Sequence, residues 1–491
     1  MNRKKAISIL FILFLVSLLL RIPNLNRDIS KHHEFNSAVV LINLQSWRQA
    51  KGGSVFHFIP LLNYQNPGDK IPDTSYYSID RSGNTMYLSF GPAWYLIPYW
   101  VYNLLHLQPN PLCLQIINLF FNLMSLALLF LFLEDLLQSK VKGNYESVLI
   151  GCFVFLFSPG TLWYLGNGYI NIGIMTPLVI GFLWFQLRMI QYPALIDMKR
   201  LLVTVILIVA LLYFDWFVLA LCGVTSLIML IRCRKNRRFI RLILVQFFGC
   251  ISGIALLYWQ FSSYAGSRHL LHYWFARSGS RTVANIDVSL GLSAYFLLNF
   301  VTAYLPIFLL IIIAYLKMRK DGTRIVFSAR EWLFIKAYAG AALLYDLVLF
   351  EWSSEHEYSV LPWAILFAFL ACRLLTESFT RRQWIRLCTL YLLFSVGQYY
   401  FINRPGRVSR EGTAYAAFRE FGDSLKQVDP EYKIFINIKR NPMIEYYAGR
   451  NLTIVTDLDS ARRFMVRWQV HNAVWVEQRN FEFQKLTYLS Y

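Results

Sequence analysis

Apolar runs long enough to cross a lipid bilayer recur along most of this chain, and no other feature restricts its fold so severely. A bilayer interior about 30 Å thick calls for about twenty apolar residues of helix. Candidate spans fall at 6–22, 112–133, 146–160, 171–188, 201–214, 216–231, 240–260, 290–316, 331–350, 358–375 and 385–402. One water-soluble core could not absorb them all. Composition agrees, with 56% hydrophobic and 17% aromatic residues and a mean hydropathy of +0.42. An α-helical polytopic membrane protein is expected.

The net charge of +20 would suggest a nucleic-acid partner in a soluble protein. Here the basic residues gather in short loops between apolar segments, as cytoplasmic loops do. Nucleic acid is therefore not an expected partner. The seven cysteines lie in or beside apolar segments, with none in 23–87 or after Arg404 and no C-x-x-C pair. Neither a disulfide framework nor a zinc site is indicated, and a cysteine-free exterior suits a bacterial periplasmic face. The opening Ala6–Leu20 lacks a small-residue cleavage site, so it reads as an uncleaved first span, with Lys4, Lys5 and Arg21 snorkelling at its ends.

Loop charge sets the topology. The loops around Arg232–Arg241, Lys317–Arg324 and Arg381–Arg386 belong inside, as does 134–145 with Lys140 and Lys142. The basic N-terminus belongs inside too. Both demands hold only if the hydrophobic stretch 88–105, with Pro92 and Pro98, lies along or dips into the outer leaflet without crossing. Eleven spans follow, N-terminus in and C-terminus out, in a cell inner or plasma membrane. The exterior regions are then 23–111, Ser158–Asn171, Phe214–Trp216, 261–289, Glu351–Tyr358 and the tail. The domain division reads as 1–403, membrane-embedded with the 23–111 loop, and 404–491, a small exterior α/β domain. Strands are expected at 431–438, 452–457 and 472–478, with helices at 442–449 and 460–468.

Chemistry-bearing residues concentrate in those exterior regions. Asp28, His32, His33 and Glu34 follow the first span and lead into an amphipathic helix ending near Gln49. A carboxylate there could act as general base toward an incoming hydroxyl; equally, Ser30 and Glu34 could simply start and cap the helix. Lys70 and Arg81 sit in turn-rich stretches, the second resembling a hairpin tip, and are candidates to touch an anionic headgroup. Arg268, His269, His272, Arg277 and Arg281 make the 261–289 loop cationic on the outer side, against the usual preference. That calls for an anionic partner, phosphate above all, or for acidic residues of the first loop. Asp215-Trp216 breaks an apolar run, and Glu351–Tyr358, with His356 and Tyr358, forms a second polar turn. No P-loop, dinucleotide, zincin or nucleophile-elbow motif occurs in a fitting context, so no cofactor is firmly implied; a divalent metal ion is left open and no metal ligand is assigned.

These segments together resemble the GT-C superfamily of lipid-dependent glycosyltransferases, in particular its protein-mannosyltransferase and aminoarabinose-transferase-like branch. The resemblance rests on Asp28…His33-Glu34, on Tyr87–Pro92 before a non-spanning helix, on Ser158-Pro159 with Asn167 and Asn171, and on His356-Glu357-Tyr358 with Pro362. It covers about residues 1–403. Asn171 stands where some relatives have a carboxylate, and Gly91-Pro92 where they have Pro-Pro preceded by lysine.

The resemblance implies a GT-C-like fold and a glycosyltransferase with a polyprenyl-phosphate sugar donor, using a catalytic carboxylate in the first exterior loop. That carboxylate is assigned to Glu34, with Asp28 the alternative and His33 beside it. Lys70, Arg81, Arg268, His272, Arg277 and Arg281 would bind the donor phosphate; Asp215, Trp216, His356 and Tyr358 would line the substrate site. The acceptor hydroxyl would belong to a protein, lipid or glycan. The rivals are a lipid or oligosaccharide transporter or flippase, a noncatalytic scaffold, and an outer-leaflet polysaccharide polymerase or ligase.

Overall fold

A computed structural model describes residues 1–29, 34–66, 70, 78–80, 82–138, 145–232, 236–281, 289–401, 414–437, 442–479 and 482–490. After α1 (Arg3–Arg21), α2 (Phe35–Gln49) and α3 (Ala93–Leu104) come α4 (Pro111–Leu136), α5 (Glu146–Phe157), the short α6 (Pro159–Tyr164) and α7 (Asn171–Gln191). The chain continues through α8 (Met198–Leu212), α9 (Phe217–Arg232), α10 (Arg237–Ala265), α11 (Ser267–Arg281) and α12 (Ser289–Asp321). Next come α13 (Ala329–Val348), α14 (Phe350–Glu355), α15 (Trp363–Ser378) and α16 (Arg381–Phe401). Among the described residues five helices are long and apolar enough to cross a membrane: α1 with its extension to Asn24, α4, α7, α10 and α12; α5 and α9 are shorter apolar helices. Phe11, Ile12 and Leu19 on α1 and Phe247, Phe248 and Trp259 on α10 are exposed, which suits lipid and not water. The chain is a multi-pass membrane protein.

Chain contacts divide it into two units. The first holds 1–25, 115–257 and 276–403; the second holds 26–114, 258–275 and 404–491. The segment 26–114, expected to belong with 1–403, groups instead with the tail in the second unit.

In the first unit α15 packs on α5 and α12, and α9 on α13. Polar bonds mark its two ends. At one end Arg3 pairs with Glu134 at 2.8 Å, Trp184 donates to Asp135 at 2.9 Å, and Arg381 lies 3.4 Å from Glu146. At the other, Tyr399 Oη accepts from Asn24 at 2.8 Å and Asn167 at 2.9 Å, and Gln115 donates to the Asn24 carbonyl at 3.1 Å. Helix α1 therefore leaves the Glu134 end and α4 returns to it, so the chain between Asn24 and Gln115 starts and finishes at the same end. The 12-residue α3 is about 18 Å long at 1.5 Å per residue, short of a bilayer core.

Arg21, expected to snorkel toward headgroups, is instead fully buried. Its guanidinium donates to the Leu162 carbonyl at 3.1 Å and the Thr161 carbonyl at 3.2 Å. A helix as short as α6 leaves most of its carbonyls without intrahelical donors, and Arg21 supplies two of them from outside.

In the second unit β1 (Ser78–Ile79) and β2 (Thr85–Met86) pair antiparallel, so the Asp80–Asn84 stretch is the hairpin tip that the sequence suggested. The Asp80 carboxylate accepts the Ser82 and Asn84 amides, each at 2.8 Å, and Gly83 takes a positive φ of 77°. The tail forms α17 (Ala414–Lys426), β3 (Lys433–Ile436), α18 (Pro442–Ala448), β4 (Leu452–Ile454), α19 (Leu458–Trp468), β5 (Asn472–Arg479) and β6 (Glu482–Ser490). Its sheet runs β4-β3-β5-β6, parallel except for β6. Phe435, Ala461, Met465, Ala473 and Trp475 fill the core between sheet and α19.

Helix α2 departs from expectation. It is not amphipathic in place: Ser37–Leu44, Ser46 and Trp47 are all buried. The reason is that α3 and α18 both pack on it, so its polar side chains meet backbone and not water. Asn43 accepts the Leu61 amide at 2.6 Å, and Ser46 donates to the Asn63 carbonyl at 2.6 Å.

Candidate active site

In the second unit the acidic segment leaves α1 through Asn26, whose φ of 54° turns the chain before α2 begins. Glu34 sits at the first turn of α2, 3% exposed, yet its side chain does not cap that helix. Its two carboxylate oxygens instead take both ends of the Arg27 guanidinium, at 2.8 and 2.9 Å. A planar fork meeting both oxygens fixes the carboxylate in direction as well as charge. Arg27 also donates to the Asp28 carbonyl at 2.8 Å. The Asp28 carboxylate pairs with Arg419 at 3.3 Å, and the Ile29 amide donates to Tyr447 Oη at 2.6 Å. His33 lies outside the described residues.

The cationic candidates separate by environment. Lys70 is half-buried and donates to two neutral oxygens, Gln65 Oε1 at 2.5 Å and Asn84 Oδ1 at 2.6 Å. Burial lowers the pKa of its ammonium, with nearby Asp80 opposing that shift. Tyr264 at the end of α10 donates to Asp80 at 2.7 Å, so the 261–289 region meets the hairpin of the first loop through a phenol. Helix α11 is anchored by Trp274 donating to the Leu88 carbonyl and by Tyr273 against Ser89, both at 2.9 Å. Those two bonds leave Arg268, Leu271, His272 and Phe275 exposed on its free face. Cations and apolar side chains at this spacing suit an amphiphile with an anionic head. Arg277 is half-buried on the same helix. Arg81 and the side chain of Arg281 lie outside the described residues.

The first unit brings together three of the turns that loop charge led one to expect outside. Asp215, fully buried in the turn between α8 and α9, accepts from the Asn171 amide, from Tyr345 Oη at 2.7 Å and from the Phe217 amide at 3.0 Å. Asp346 accepts from Trp363 at 2.7 Å and Ser353 at 3.1 Å. Glu357 accepts from Tyr164 Oη at 2.8 Å. Aromatic rings link these carboxylates: Tyr345 meets Trp352 edge-on, His356 stacks on Tyr358 at 5.1 Å, and Tyr358 meets Tyr164. Trp216 is half-buried beside Asp215 in sequence. The side-chain amide of Asn171, where a carboxylate was noted as missing, thus bonds directly to a carboxylate.

Sequence reasoning assigned no role to Arg27, Arg419, Tyr447, Tyr164 or Tyr345. Arg27 was visible as a basic neighbour of the acidic run, but nothing in spacing reports a pairing seven residues apart outside a helix. Among the described residues no three or more His, Cys, Asp or Glu side chains group as a metal site.

The fold has solved counterparts. ArnT from Cupriavidus metallidurans bound to undecaprenyl phosphate superposes with a TM-score of 0.63 at 11% identity, over 97% of this chain and 92% of that one. Its apo structure gives 0.58 over the same shares. The oligosaccharyltransferase AglB from Archaeoglobus fulgidus, solved with an inhibitory peptide and a dolichol-phosphate, gives 0.58 at 11% identity, over 96% of this chain and 69% of that one. No family model and no curated protein sequence matches. The chain has the GT-C fold, as its sequence motifs suggested.

Proposed function

We propose that this protein is a membrane glycosyltransferase that moves a sugar from a polyprenyl-phosphate donor to an acceptor hydroxyl on the outer face of the membrane. The observation that carries this reading is the Glu34 carboxylate, held by a two-point arginine fork at the start of the first exterior loop of a GT-C fold. Glu34 takes the acceptor proton as the acceptor oxygen bonds to the sugar C1. The C1–O bond to the lipid phosphate breaks in the same step, its electron pair leaving with the phosphate, so configuration at C1 inverts. A phosphate leaving group needs no general acid, only cations to meet its growing charge. Lys70, Arg268, His272 and Arg277, with Arg81 and Arg281, take that role. The mixed face of α11 supports it, because a lipid-phosphate presents chain and anion together.

Asp215, Trp216, His356 and Tyr358 line the sugar or acceptor site, and the tail unit contributes to acceptor binding. The chain crosses an inner or plasma membrane eleven times, with the N-terminus cytoplasmic and the tail exterior; the basic residues of its short loops support this reading. A transporter would place ionisable groups at mid-membrane. Asp215 lies instead in a turn and Asp346 two residues from the end of α13. The test is incubation of purified protein with labelled polyprenyl-phosphate sugars and membrane extract. Label passing to a hydroxyl-bearing acceptor, with inverted configuration at C1, is the expected result; label remaining on the lipid throughout refutes the reading.

A further inference from the structure

We infer that the C-terminal α/β unit does more than meet the acceptor: through Tyr447 and Arg419 it positions the acidic segment that carries Asp28 and leads to Glu34. Two bonds from the tail converge on adjacent residues of that segment. Tyr447 Oη accepts the Ile29 amide at 2.6 Å across 418 positions of sequence, and Arg419 pairs with Asp28 across 391. The Ile29 side chain is buried, so this stretch is set into the unit and not merely touched by it.

Tyr447 is itself fixed. Helix α17 crosses α18 at Gly422, where an added Cβ would overlap the Tyr447 Cβ, so the tyrosine has no room to retreat. Behind it Tyr446 packs edge-on against Tyr447 at 5.2 Å, and its carbonyl accepts from Tyr64 Oη at 3.4 Å. A second anchor joins tail and loop nearby. The Tyr64 amide donates to Asn451 Oδ1 at 2.7 Å while Asn451 Nδ2 donates to the Tyr64 carbonyl at 3.1 Å, a side chain pairing with backbone as a strand would. Arg450 beside it holds the tail's own turn through the carbonyls of Val428 and Tyr432. The tail therefore reaches the loop as a rigid body with two grips, one on 28–29 and one on 64.

Such rigidity matters for chemistry because a general base misplaced by about 1 Å can lose about a hundredfold in rate. The catalytic consequence rests on the reading of Glu34 as base; the positioning itself does not. Tyr447 and Arg419 are positioning residues, since they act on the reaction only through the loop.

The experiment uses the full chain in lipid nanodiscs, comparing Tyr447→Phe, Arg419→Ala and Arg419→Lys with wild type. Amide hydrogen exchange of residues 25–29 is read first, and transfer kinetics with undecaprenyl-phosphate sugar second. Tyr447→Phe keeps the ring and removes only the acceptor oxygen, so exchange at Ile29 rises about tenfold with the unfolding temperature little changed. The kcat falls about fivefold while the donor KM holds, and Arg419→Lys recovers most of what Arg419→Ala loses. Unchanged exchange at Ile29 in Tyr447→Phe overturns the inference, as does faster exchange with kcat intact. If wild type transfers no sugar while exchange at Ile29 still rises, the glycosyltransferase reading fails and the grip on the loop stands. Gly422→Ala, which displaces Tyr447 without touching its hydroxyl, must raise exchange at Ile29 in the same way.

Discussion

Replacing Glu34 by glutamine removes one proton acceptor and almost no volume, and two separate losses follow from the geometry. The first is structural. Arg27 meets both carboxylate oxygens, so the amide keeps one bond and turns its NH2 toward the other guanidinium nitrogen. Losing one charged hydrogen bond at a 3%-exposed site costs about 1.5–3 kcal/mol. The second loss is chemical. A positioned general base contributes about 10²–10⁴ in rate, equivalent to about 2.7–5.4 kcal/mol of barrier. The two are separated by Arg27→Gln, which damages the same ion pair from the other side and keeps the proton-accepting carboxylate, though no longer fixed in direction. Initial rates of sugar transfer from undecaprenyl-phosphate donor, beside thermal unfolding in detergent, measure both. Glu34→Gln should lose two or more decades of kcat and Arg27→Gln far less, while the two variants unfold at similar temperatures. Transfer by Glu34→Gln within about threefold of wild type would remove Glu34 as base and return the assignment to Asp28.

Other expectations follow from the same geometry. Arg268→Ala and Arg277→Ala should raise the donor KM about tenfold with little change in acceptor KM, and an effect confined to the acceptor would contradict their phosphate role. Asp215→Asn should destabilise the first unit by about 1–3 kcal/mol, because its new NH2 faces the Asn171 amide; a variant unfolding at the wild-type temperature would refute that account. In a background lacking the seven native cysteines, single cysteines at Lys4 and Gln138 should label from one side of the membrane and one at Phe35 from the other. Labelling of Lys4 and Gln138 from opposite sides would mean that the 88–105 stretch crosses after all.

The sequence by itself determined the membrane class, the positions of the long helices, the hairpin tip at Asp80–Asn84 and most of the tail's strands and helices. These are local properties: a run of apolar residues or a cluster of turn formers acts within one helix or hairpin, whatever the rest of the chain does. Loop charge also put the ends of the 23–111 segment on one side, and in the structure Asn24 and Gln115 meet at one end of the first unit. The helix α17 and the strand β6 went unread, the first lying beyond the expected elements and the second carrying polar residues on both faces.

Tertiary structure alone decided which side chains meet. Helix α2 looked amphipathic until packing by α3 and by α18, some four hundred residues later, buried it and the Leu61–Asn63 backbone met its polar side chains. Arg21 looked like a snorkelling end residue and proved to donate to two carbonyls of α6. The Arg27–Glu34 fork, the Asp215–Asn171–Tyr345 cluster and the Tyr447–Ile29 bond depend on side-chain direction after packing, and no spacing rule carries that information across a chain. Hydrophobic length is written residue by residue, whereas a polar partner exists only once burial has removed water as the alternative.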